Sequence, residues 1–142
     1  MKKTILITTL MIGATIMSYA QCDKNFTLTS SKTEYYDGSG TLQRSVDEKG
    51  VIVITGKDLV ITHGPNEEKM TGTVKYDTCS WKVPFKNGKV IIRTALTGDN
   101  GNTQNVTLTI EGKDGKITCT AVPDDDQNRQ IRLTVDKFEE KK

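Results

Sequence analysis

His63 is the only histidine in the 142-residue chain. A serine or cysteine nucleophile would need it as a base, with a carboxylate to orient the ring. It stands between Thr62 and Gly64 at the end of a predicted strand, which reads as a turn or surface position. Acidic residues are plentiful, yet none sits in an apolar stretch that would raise its pKa for acid catalysis. No enzymatic activity, catalytic residue or cofactor is expected. Oxygen donors cluster at Asp124-Asp125-Asp126, with Asp99 and Asn100 as candidate companions. Clustered oxygens suit calcium, but the EF-hand spacing is missing, so a solvated acidic loop without metal is expected.

Three cysteines, Cys22, Cys79 and Cys119, are too widely spaced for a redox motif or a zinc cluster. One disulfide and one remaining thiol is the simplest reading. Cys79 and Cys119 both fall on the inward phase of predicted strands and are the favoured pair, with Cys22 as competitor.

The compartment follows from the N-terminus. Lys2 and Lys3, an uncharged run from Thr4 to Met17, and Ser18-Tyr19-Ala20 have the order of a cleavable secretion signal over residues 1–20. The run is too short and too rich in threonine for a membrane anchor. Cleavage between Ala20 and Gln21 leaves residues 21–142 as one periplasmic or extracellular domain, with lipid attachment at Cys22 as the alternative. Removing the signal takes two lysines and no acids from 20 basic and 18 acidic side chains, which leaves the domain neutral. Nucleic-acid binding needs a basic footprint, and none is present.

The elements that position these residues alternate with a period of two, the pattern of strands buried on one face. Met70, Gly72, Val74 and Tyr76 alternate with polar residues, as do Cys79, Trp81, Val83 and Phe85. Val106, Leu108 and Ile110 follow the same rule, and so do Ile117, Cys119 and Ala121, and Ile131, Leu133 and Val135. Turn residues separate the runs at Asp37–Gly40, Gly56-Lys57, Lys86-Asn87-Gly88, Gly98–Asn102, Lys113-Asp114-Gly115 and Pro123–Arg129. Pro84, which cannot donate to a ladder, is expected at a bulge or strand end. Short connections between eight to ten strands predict an all-β fold, a single up-and-down meander closed into a barrel. Val51–Ile54 and Leu59–Ile61 are apolar on both faces and predict a covered or partner-binding hairpin, with Ile52 and Ile54 as its test positions.

In such a meander alternate hairpins share an end. Asp37–Gly40, Gly98–Asn102 and Pro123–Arg129 then form one rim, and loops on a rigid scaffold are where binding residues lie. The candidate partner-binding residues are Gly98, Asp99, Asn100, Gly101, Asn102, Pro123, Asp124, Asp125 and Asp126. Three inward apolar residues per strand, with Tyr76, Trp81 and Phe85 among them, predict a filled interior.

A signal followed by a lean barrel that ends in Ile131-Arg132-Leu133-Thr134-Val135 resembles the small lipocalin-like barrels secreted by Gram-negative bacteria. The outline is also similar to bacterial β-barrel peptidase inhibitors, the staphostatins and the eight-stranded potempins. The resemblance implies a protein-binding module, most concretely an inhibitor that inserts a rim loop into a secreted peptidase. The alternatives are a lipocalin-like carrier of a small apolar ligand and an envelope assembly protein.

Overall fold

The computed structural model describes residues 25–83 and 85–141. The expected signal, its cleavage site, Cys22 and Pro84 lie outside them. Among the described residues there is no helix, and so none long and apolar enough to cross a membrane. The strands are β1 (Asn25–Ser30), β2 (Thr33–Tyr36), β3 (Leu42–Val46), β4 (Gly50–Thr55), β5 (Asp58–His63) and β6 (Glu68–Thr73). They continue as β7 (Lys75–Val83), β8 (Asn87–Gly98), β9 (Thr103–Lys113), β10 (Lys116–Pro123), β11 (Gln130–Thr134) and β12 (Lys137–Lys141).

Alternation decides which face each strand buries. In β9, Val106, Leu108 and Ile110 are buried while Thr107 and Thr109 between them are half-buried. β10 buries Ile117 and Cys119, and β8 buries Val90, Ile92, Thr94 and Leu96. The turn between β9 and β10 places Asp114 at φ 52° and Gly115 at φ 82°, the two consecutive left-handed residues that a tight hairpin needs.

All pairings are antiparallel, in the order β12-β1-β4-β5-β6-β8-β9-β10-β11-β2-β3, with β7 beside β8. Element by element this order has two ends, β12 and β3, so an antiparallel twelve-stranded sheet is what the pairing establishes. The connections divide between two ends of the strands. At one end Gly56 N–H donates to Asn25 Oδ1 at 2.7 Å, and Asp114 N–H to Asn87 Oδ1 at 2.9 Å. At the other, Lys69 N–H donates to Asp99 Oδ2 at 3.3 Å, and a Cβ on Gly38 would fall 2.7 Å from Asn128 Oδ1.

The first of these ends carries a cluster of Phe26, Trp81, Phe85 and Phe138. Phe85 stacks on Phe138 with ring centroids 4.1 Å apart, and Trp81 and Phe26 flank Phe85 at 5.3 and 5.7 Å. Trp81 lies over two glycines that face each other across β8 and β9. A Cβ on Gly88 would stand 2.7 Å from the indole, and one on Gly112 3.0 Å from it. Gly88 was expected in a turn; it belongs instead to β8, and the turn closes earlier, through Lys86 N–H to Val83 C=O at 3.1 Å.

Three further expectations are corrected. Cys119 is a free, buried thiol and is not the partner of Cys79. The register runs Cys79↔Val90, Val90↔Ile110 and Ile110↔Cys119, so the two cysteines share a face but lie three strands apart. That separation is more than about 10 Å, beyond the reach of a disulfide. Ile52 and Ile54, expected on a partner-binding face, are 2% and 0% exposed and point into the core. The outward side chains of that hairpin are Val51, Val53 and Val60, which are half-buried. Val83, expected inward, is exposed because β7 changes register between Tyr76 and Thr78 and again between Trp81 and Val83.

Candidate functional site

The inward faces do not meet in a solid core everywhere. The bulky buried side chains Leu28, Ile54, Leu59 and Ile110 join the aromatic cluster. Towards the other end, inward positions carry smaller residues: Thr33, Gly50, Cys119 and Ala121. With small side chains at these positions, a cavity of about 820 Å³ remains among the strands. The expectation of a filled interior is thereby corrected: Phe26, Trp81, Phe85 and Phe138 gather at one end and leave the other hollow.

The walls follow from the register. Cys119, Leu133 and Thr33 form one cross-strand row over β10, β11 and β2. Ala121, Ile131, Tyr35 and Arg44 form the next row towards the opening and reach β3. Leu108 and Val106 continue this wall on β9, beside Ala121 and Pro123, and Ile52, Ile61 and Leu96 complete the lining. The lining surface is therefore mainly hydrocarbon.

Charge is confined to the mouth, where Arg44, Glu48, His63, Lys69, Asp99 and Arg129 stand. The Arg44 guanidinium rests 4.3 Å from the centre of the Tyr35 ring, a cation–π contact that holds it at the edge. His63 Nε2 is 3.8 Å from Glu68 Oε2, so the lone histidine belongs to a polar rim. Burial pushes the Cys119 thiol up to about 12, which keeps it protonated in the wall.

Of the loop residues singled out from the sequence, Gly98, Asp99, Asn100, Asn102 and Pro123 line this cavity. Gly101, Asp124, Asp125 and Asp126 are exposed and do not line it. The three aspartates do not converge. Asp124 accepts from the Thr107 hydroxyl at 2.9 Å, Asp125 from Gln104 at 3.1 Å, and Asp126 from the Asn128 amide at 3.2 Å. Among the described residues, no group of three or more histidine, cysteine or acidic side chains could hold a metal.

Thr33, Tyr35, Arg44 and Arg129 were not singled out as site residues. For Thr33 the signal was a small polar residue at an inward strand position, and Arg129 closes the Pro123–Arg129 loop already placed on the rim. No protein-family model, curated protein or solved structure matches the chain.

Proposed function

We propose that the chain is an exported binding protein that encloses a small apolar molecule in a closed eight-stranded barrel. The observation that carries this reading is the cavity of about 820 Å³, with hydrocarbon walls and a charged mouth. Small-molecule sites commonly occupy about 300 to 1,000 Å³ and combine apolar walls with a few polar groups.

Closure of the barrel is supported by register. β1 and β2 are separated by two residues, and so are β11 and β12. Thr29↔Lys137 and Thr33↔Leu133 are in one phase, four residues forward on one chain and four back on the other. The gap is bridged by Asp136 N–H to Thr29 C=O at 2.8 Å and Ser31 N–H to Asp136 Oδ2 at 2.7 Å. Residues 25–36 and 130–141 thus behave as two bent strands paired along their length. Residues 42–55 and 68–83 behave likewise: the first pairs with 25–36, and the second keeps one phase with β8 through Met70↔Gly98 and Lys75↔Arg93. Counted this way, the twelve segments become eight strands in chain order, with the last beside the first.

Export is supported by the cysteines as well as by residues 1–20. Cys79 is disulfide-bonded and Cys119 is a free thiol. Structural disulfides belong to oxidising compartments.

The test is a fluorescence titration with N-phenyl-1-naphthylamine, which brightens in apolar surroundings. Saturable one-to-one binding is expected, and Leu108→Trp, which fills the hollow, should abolish it. Binding unaffected by Leu108→Trp would reject the cavity as the site.

A second reading, inhibition of a secreted peptidase, is favoured by the placement of Gly98–Asn102 and Pro123–Arg129 around one mouth. Asp124–Asp126 are exposed there and tied down by the hydrogen bonds described above, so the loop is presented in a fixed shape. Stoichiometric inhibition of peptidases secreted by the producing cell, lost on replacing Asp124–Asp126, would support this reading. Its absence together with probe binding supports the carrier.

A further inference from the structure

Thr33 is 3% exposed, lines the cavity, and its hydroxyl oxygen has no hydrogen-bond partner among the described residues. A buried hydroxyl left unpaired in an apolar wall is costly, and strands have a simple alternative in valine, which matches its shape. The groups paired with it across the sheet are neutral. Along the same row stand Leu133 and the Cys119 thiol, and across β3 Thr33 faces Val46. The charged groups, Arg44, His63, Lys69, Asp99 and Arg129 among them, stand at the mouth. A carboxylate or phosphate drawn down to Thr33 would lose its water without gaining a counter-charge, which costs far more than one hydrogen bond returns. A neutral oxygen has no such penalty, since a hydroxyl can donate to a carbonyl or exchange bonds with another hydroxyl.

Resting on the cavity reading above, we propose that Thr33 is a ligand-specifying residue, and that the bound molecule is an apolar skeleton bearing a neutral keto or hydroxyl oxygen on its enclosed part. The oxygen meets the Thr33 hydroxyl, and the hydrocarbon packs against Ile52, Leu108 and Leu133. Unmodified hydrocarbons fit the same walls but leave the hydroxyl unpaired.

The experiment displaces N-phenyl-1-naphthylamine from the full mature protein with fluorenone and with fluorene, which share a skeleton and differ by a carbonyl. Thr33→Val is expected to weaken fluorenone about three- to tenfold, the loss of one buried hydrogen bond. It should leave fluorene and the probe unchanged, and Thr33→Ser should keep the wild-type preference. A second measurement needs no variant: the infrared carbonyl stretch of bound fluorenone should lie below its value in hexane. Equal weakening of both compounds, or no change in either, together with an unshifted carbonyl band, overturns the role of Thr33 while leaving the carrier reading intact. Failure of the probe to bind overturns both.

Discussion

Cys119 is a buried free thiol, and its surroundings silence it. With its pKa pushed up to about 12 by burial, almost no thiolate exists near neutral pH. Iodoacetamide at pH 8 should modify it at least about a hundredfold more slowly in the native protein than after unfolding, as read by mass spectrometry. Rapid native labelling would contradict its placement in the wall. Trp81 gives a second residue-scale expectation, because its indole leans on glycines where any Cβ collides. Gly88 also sits at φ 150°, a backbone setting that side chains avoid. Gly88→Ala and Gly112→Ala should each cost about 1 to 3 kcal/mol in chemical unfolding and alter Trp81 fluorescence. Unchanged melts and spectra would mean that the ring does not lie there.

Strands carry the alternation, and their two faces differ in consequence. Ile54 is fully buried in β4, whereas Val53 beside it points outward. Ile54→Asp should abolish cooperative unfolding by burying an unpaired charge. Val53→Asp should cost about 1 kcal/mol or less. Similar losses at both positions would refute the assigned phase. The Asp37 turn has a pH signature. Hydrogen bonds from the Ser39 hydroxyl, the Thr41 amide and the Ser39 amide hold the Asp37 carboxyl below its ordinary value. A depressed carboxylate contributes fully above the unfolded value and loses that contribution as pH falls through the folded one. The Ser39 and Thr41 amide resonances should therefore titrate with a midpoint below that of an aspartate in an unfolded peptide. A midpoint at or above it would contradict the turn. Alternation in the sequence was enough to place Val106, Leu108 and Ile110 inward. The change of phase between Tyr76 and Cys79 was legible in the same way, but the second register shift of β7, between Trp81 and Val83, was not, because a bulge changes phase without changing residue type, and Val83 was misplaced for that reason.

At the scale of the molecule, the relation between strands decides function, and that relation was only partly legible. The period of two says which face a residue occupies but not which strands are neighbours. Cys79 and Cys119 therefore looked pairable when two strands, β8 and β9, separate them. The sharing of one end by Gly98–Asn102 and Pro123–Arg129 could be read from the meander order, since hairpins alternate ends. The hollow could not, because the same few apolar residues could fill a barrel evenly or crowd to one side. Here Trp81, Phe85, Phe26 and Phe138 crowd to one end. Small residues such as Gly50, Thr33 and Ala121 leave the other end open. A lean core, which at first argues against a ligand cavity, is what produces one. The most direct test of the central claim is methyl nuclear magnetic resonance of the protein, titrated with N-phenyl-1-naphthylamine. Methyl signals of Ile52, Ile61, Leu96, Leu108 and Leu133 should shift in a saturable way, while those of outward Val51, Val53 and Val60 stay still. Shifts confined to the outward valines, or none at concentrations where the probe saturates, would contradict the binding cavity.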